Sequence, residues 1–145
     1  MFPAQHQIDG RFERLLSMLS GNYLSIKSKK GNHDVAYLPI LRKSELYYIK
    51  GEYLASIGQV SEAVDLLREI RSSRGDISMD DLNTITTEMG YIEAMLTDAR
   101  KEFIGEGQSF YLFKRLNLPV FDGVQNIDFR NLYTLPVPKS EEVVF

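Results

Sequence analysis

Residues 38–75 read LPILRKSELYYIKGEYLASIGQVSEAVDLLREIRSSRG, and this stretch carries the clearest pattern in the chain. Pro39 suits the first turn of a helix, where its missing N–H costs nothing. Leu46, Ile49, Tyr53 and Ile57 recur at helical spacing and define one apolar face. Gly58 follows as a helix stop. Ser61 and the acidic Glu62 make a new helix start. Ala63, Leu66, Leu67 and Ile70 form the next apolar stripe. Arg68, Arg71 and Arg74 crowd its last turns, where the helix dipole favours cations, and Gly75 closes it. Two helices joined by a tight turn at Gly58 predict an antiparallel helical hairpin.

Tyr47, Gly51, Leu54, Gly58, Ala63, Leu67 and Ile70 stand at the spacing of a tetratricopeptide repeat, which the hairpin resembles. Gly51 and Ala63 are small enough for the two helices to approach closely. Only one copy is visible, and a solenoid needs about three repeats to cover its faces, so the hairpin is expected to pack on something else.

Downstream, Ser78-Met79-Asp80-Asp81 reads as an acidic helix start. Ile85, Met89, Ile92, Leu96, Ala99 and Phe103 then alternate at four and three residues, the longest apolar stripe in the chain. Gly90 inside it costs roughly 1 kcal/mol against alanine, so the helix is expected either whole or split there. Gly105-Glu106-Gly107 breaks the pattern. Phe110, Phe113 and Leu116 predict a short helix to about Asn117, ended by Pro119. From Val120 onward the chain reads as irregular or extended, with Leu135-Pro136-Val137-Pro138 as a strap over the body. Upstream, Phe12, Leu15, Leu16 and Leu19 predict an amphipathic helix, capped by Asp9 and ended by Gly21. The Ser/Gly/Asn-rich stretch around Lys27, Lys29 and Lys30, up to His33-Asp34, reads as a loop or hairpin turning near Asn22 or Gly31. The expected class is therefore all-α: helical hairpins with long loops and an extended C-terminal strap. Residues 1–37 form an irregular segment with one helix, and residues 38–145 a helical region, within a single domain.

The bulk numbers agree. The 145 residues suit one domain able to bury a core. With 43% hydrophobic and 26% charged residues, the composition is that of a globular protein rather than a disordered one. A net charge of -3 argues against a nucleic-acid partner, whose phosphates demand a basic surplus. There are no cysteines, which excludes disulfides, Cys-type zinc sites and a Cys nucleophile. No apolar run is long enough for a membrane-spanning helix, and Met1–His6 lacks the charged start and apolar core of a signal peptide.

Candidate chemistry is sparse. His6 and His33 lie far apart without metal-ligand or triad spacing, and read as surface residues. Gly105-Glu106-Gly107 lacks the lysine and spacing of a phosphate loop. Asp80-Asp81 sit where a helix start wants negative charge, and Glu141-Glu142 lie in the tail, so neither pair reads as glycosidase carboxylates. Lys27, Lys29 and Lys30 read as a solvated loop; Tyr23 and Tyr37 flank them and leave sugar stacking open there. The densest polar string, Arg100 to Gly107 followed by Lys114-Arg115, reads as a structural charge network tying helix ends together. No catalytic or metal-binding residue is assigned, no cofactor is expected, and the ligand-binding residues stay unknown.

Four strings carry a family resemblance. Leu38–Tyr47 resembles the "LPLIRLAEMYL" string of the SusD/RagB family. Leu67–Gly75 is similar to its "LNxIRxRRG" string. Arg100–Phe110, with Lys114-Arg115 after it, is similar to "RRxEFxGEGxRxxD" and "LKRW". Leu135–Glu141 is similar to the closing "LxPIPxxE". All four occur in family order, over about residues 38 to 142.

The resemblance implies the C-terminal region of an outer-membrane, surface-exposed nutrient-binding lipoprotein. Its ligand would be a glycan or another nutrient, its partner a SusC-like TonB-dependent transporter, and it would perform no catalysis. It also implies that the family's N-terminal half, with signal, lipidated cysteine and early repeats, falls outside these residues. Ser109 replaces the family's usual arginine, Leu112-Phe113 its Asp-Leu, and Asn117 its common tryptophan, which predicts a thinner ionic network. Glu102 is expected to pair with Arg115 or Arg42, because a charge among apolar helix positions needs a partner. Two other readings compete with nutrient capture. One is a stand-alone tetratricopeptide-like interaction module with a concave groove. The other is a truncated remnant exposing a large apolar patch.

Overall fold

The computed structural model describes residues 10–20, 22–25, 41–76, 79–121 and 124–128. It is mostly helical, as expected of an all-α chain. The chain divides into two compact units, residues 1–106 and 107–145.

The first unit is built on three helices, α2 (Lys43–Ser56), α3 (Val60–Ser73) and α4 (Glu88–Glu102). The hairpin of α2 and α3 forms as the glycine punctuation requires. Gly58 takes φ 84°, and the N–H groups of Gly58 and Gln59 donate to the carbonyls of Ala55 and Leu54, satisfying the end of α2. Gly75, at φ 78°, closes α3 in the same left-handed way. The first helix begins at Lys43, later than the Pro39 reading placed it; Pro39 itself lies outside the described residues.

The buried side of α2 departs from the apolar stripe. Leu46, Ile49, Tyr53 and Ile57 face outward, with Leu46 60% and Tyr53 62% exposed. Ser44, Tyr48, Gly51, Leu54 and Ala55 are buried instead. The reason lies in α4, which presents Tyr91, Met95, Asp98 and Glu102 along one buried stripe. Running antiparallel, α2 sets Gly51 against Tyr91, Tyr48 against Asp98 and Ser44 against Glu102. Two carboxylates on the facing helix need donors, and the hydroxyls of Tyr48 and Ser44 supply them, whereas an apolar stripe would leave buried charge unsatisfied. Gly51 thus serves the approach of α4 rather than that of α3. A Cβ there would lie 1.9 Å from the Tyr91 hydroxyl.

Apolar packing completes this unit. Ala63, Val64, Leu67 and Ile70 of α3 meet the α4 side of the core, where Ile92, Leu96, Ala99 and Phe103 are buried as their spacing implied. Phe103 sets its ring edge-on to Tyr48, with centroids 5.9 Å apart. The expected start of the long stripe is corrected: Asp80–Thr84 is a separate 3-10 turn, and α4 begins only at Glu88. Thr87 sets that start, its side chain accepting from the Gly90 N–H at 3.1 Å. Gly90 therefore lies in the first turn, where it interrupts nothing. Met89, part of the expected stripe, is exposed.

The helix expected across residues 9–21 forms only as α1, Arg11–Leu15. The chain then turns to strand: β1 (Leu16–Leu19) pairs antiparallel with β2 (Asn22–Ser25), Leu19 opposite Asn22. Ser17, Ser20 and Asn22 are poor helix formers and good turn formers. Ser20 adopts φ 50°, the left-handed conformation of two-residue hairpin turns, so the local turn chemistry overrides the three-four spacing of the leucines.

In the second unit, α5 (Gln108–Leu116) starts after Gly107 at φ 72° and ends on Asn117 at φ 52°. This is the short helix expected from Phe110, Phe113 and Leu116; Phe113 is buried. A two-residue pair of strands follows, β3 (Val120–Phe121) with β4 (Asn126–Ile127). The proline strap at Leu135–Pro138 and Glu141-Glu142 lie outside the described residues, as do His6, the three loop lysines, His33 and Tyr37.

Candidate functional site

The densest chemistry of the first unit is an ion-pair network at one end of the helices. Asp98 is its centre and is fully buried. Its Oδ1 accepts from Arg11 Nη2 at 2.6 Å, and its Oδ2 accepts from the Tyr48 hydroxyl at 2.6 Å. Arg71 Nε lies 3.6 Å from Oδ1 and makes no hydrogen bond, while Arg71 Nη1 donates to both carboxylate oxygens of Asp81 at 2.9 Å. One turn along α4, Glu102 accepts from Arg74 in the two-pronged manner, Nη2 to Oε1 at 2.6 Å and Nε to Oε2 at 3.0 Å. Ser44 Oγ donates to Glu102 Oε1 at 3.0 Å. Arg11 Nη1 stands 3.8 Å from Glu102 Oε2, and Arg42 pairs with Glu106. Asp76 joins the edge, 3.8 Å from Arg11 and 4.0 Å from Lys101.

Burial acts against the charge of Glu102, but the Arg74 hydrogen bonds and charge outweigh it, with help from Ser44 and Arg11. The carboxyl is held below the usual glutamate range. Tyr48 is pushed up chiefly by burial and then by the charge of Asp98, so its hydroxyl remains a donor. Such a network holds helix ends in register.

Arg74 is the principal partner of Glu102, beside the expected Arg42, which also stands within ion-pair distance of it. Arg42 reaches it only at 3.9 Å and spends its nearer contact on Glu106. Arg74 is favoured because it ends α3 directly beside the last turn of α4. Arg11, Arg74 and Asp98 were not legible as site residues. Asp98 alone left a signal: with Tyr91, Met95 and Glu102 it continues a buried helical spacing in which an acid is out of place.

Two cavities flank the network. One, of about 210 Å³, lies between Lys43, Tyr47, Glu69, Ser73 and Arg74. Tyr47 donates to Glu69 at 2.6 Å, and the Lys43 ammonium sits 4.9 Å above the Tyr47 ring. The other, of about 170 Å³, is lined by Arg11, Arg14, Leu15, Arg42, Arg74 and Glu102. Among the described residues no group of three histidine or acidic side chains is placed to hold a metal ion, and no helix is long and apolar enough to cross a membrane.

A model of the SusD family matches residues 14–135. The chain belongs to the SusD family. Proteins of this family bind nutrients and are not enzymes. The same comparisons match no curated protein and no solved structure. The SusD strings acquire a physical meaning in this geometry. Arg42 and Ser44 come from the first string, Arg71 and Arg74 from the second, and Glu102 and Glu106 from the third, and all six meet in the one network. These SusD signatures thereby tie α2, α3 and α4 together.

Proposed function

We propose that this chain contributes to glycan or nutrient capture at the outer-membrane surface, in partnership with a SusC-like TonB-dependent transporter. Membership of the SusD family over residues 14–135 carries this reading. The structure supports it through the ion-pair network built from the family strings, which gives a binding protein a rigid three-helix frame. The surface location and lipid anchor follow from the same kinship.

A second reading is favoured by the outward face of α2. Leu46, Ile49, Tyr53 and Ile57 form an exposed apolar row on a tetratricopeptide-like hairpin, and such hairpins cover their faces by stacking on helices of the same kind. This face suits an interaction module, and also the remnant reading, which predicted an apolar patch. Isothermal titration against a panel of oligosaccharides separates capture from interaction alone. Nutrient capture predicts saturable binding of at least one saccharide. Absence of binding across the panel, together with capture of the chain by an isolated helical hairpin, would decide for the interaction reading.

A further inference from the structure

The 170 Å³ cavity joins guanidinium groups from three segments of the chain: Arg11 and Arg14 of α1, Arg42 at the start of α2, and Arg74 at the end of α3. Among the described residues that line it, Glu102 is the only acid. Both oxygens of Glu102 are already occupied, by the fork of Arg74 and by Ser44. Arg11 is matched by Asp98 and Arg42 by Glu106. Arg14 is different: among the described residues it has no hydrogen bond or ion pair, and it is exposed where it lines the cavity. Among the described residues the cavity therefore carries one positive charge without a counter-charge, that of Arg14. It also offers unused N–H groups, since a guanidinium has five and Arg74 directs only its Nε and Nη2 to Glu102. A planar or tetrahedral oxyanion matches this geometry, because arginine forks bind such groups through paired hydrogen bonds. The space admits the acidic group and part of one sugar ring, not a whole oligosaccharide.

We propose that this cavity binds the acidic group of an anionic glycan, a uronate carboxylate or a sulfate ester, with Arg14 as its counter-ion. The inference rests on the glycan reading above and narrows it to acidic saccharides. Arg14 positions the anion, while the unspent donors of Arg74 and Arg42 complete its hydrogen bonds. Because Arg14 is exposed, added salt screens it and weakens binding.

The test titrates the chain with a uronic-acid disaccharide, a sulfated disaccharide, their neutral counterpart and inorganic sulfate, each against wild type, Arg14→Ala and Arg14→Lys. One acidic sugar is expected to bind at least about tenfold tighter than the neutral one, the loss that removal of a paired charged contact brings. Arg14→Ala should abolish the preference and Arg14→Lys restore part of it, with the urea midpoint unchanged in both. The arm that binds identifies carboxylate or sulfate ester as the group. Equal binding of neutral and acidic sugars, or a preference that survives Arg14→Ala, overturns the site and leaves the glycan reading standing. Binding of inorganic sulfate through Arg14 without any of the three disaccharides overturns the acidic-glycan assignment and leaves the glycan reading to the oligosaccharide panel. Binding of none of the four overturns the site as well.

Discussion

Replacing Asp98 by alanine removes a fully buried carboxylate from the centre of the network. The side chain is fully buried and accepts from Arg11 and Tyr48, both at 2.6 Å, with Arg71 at 3.6 Å. The substitution takes from the Arg11 guanidinium, itself 2% exposed, its 2.6 Å counter-charge, and strips the Tyr48 hydroxyl of its acceptor. Removing one member of a buried ion pair costs about 3–5 kcal/mol, because the other charge stays buried without compensation. For a unit of this size that corresponds to a melting temperature lower by more than about 10 °C. The assay is urea denaturation followed by far-UV circular dichroism, with a thermal melt alongside. Asp65→Ala is the control. Its partner Arg68 lies 2.7 Å away, but both side chains are solvent-accessible, and such pairs are worth about 0.2–1 kcal/mol. The double variant Arg11→Met/Asp98→Leu should recover part of the loss, since apolar replacement of both partners removes the stranded charge. If Asp98→Ala costs no more than Asp65→Ala, the network does not hold the helices and the reasoning is refuted.

Acid should weaken the same network through Glu102. Its folded pKa lies below its unfolded value, so its contribution is full above about pH 4.3 and is lost as pH falls through the folded pKa. Urea midpoints of Glu102→Gln measured from pH 7 to pH 3 should therefore fall less steeply than those of wild type. Gly51→Ala drives a methyl group into the Tyr91 hydroxyl and should cost about 1–3 kcal/mol by overpacking. Tyr91→Phe alone should be neutral or stabilising, because that buried hydroxyl has no hydrogen-bond partner, and it should relieve part of the Gly51→Ala cost in the double variant. Thr87→Ala removes the cap of α4 and should cost about 0.5–2 kcal/mol, seen as a lower urea midpoint with an unchanged slope.

Much of the candidate site was invisible in one dimension for a reason the residues make plain. The polar string from Arg100 onward was legible as a charge network, and Glu102 and Glu106 are members of it. Of the partners, Arg42 was named beforehand and stands beside both acids, whereas Arg74 lies 28 residues upstream of Glu102 and Arg11 lies 87 residues upstream of Asp98, and neither was named. No periodicity connects positions so far apart. Arg74 was read as a cation suited to a helix end, which it is, but that local role conceals the fork it makes with Glu102.

Local chemistry dictated the helices, their turns and the all-α class. Gly58, Gly75 and Asn117 end α2, α3 and α5 through left-handed residues whose effect needs only immediate neighbours. Where two local preferences competed, as in Leu15–Asn22, the turn-forming residues prevailed over the leucine spacing. Which face of α2 is buried was another matter. Its apolar stripe of Leu46, Ile49, Tyr53 and Ile57 has the stronger pattern, yet Ser44, Tyr48 and Gly51 go inside. That choice belongs to packing: Asp98, Glu102 and Tyr91 arrive on α4, and two buried carboxylates and a close-set ring demand two donors and a gap, which only the more polar face of α2 provides.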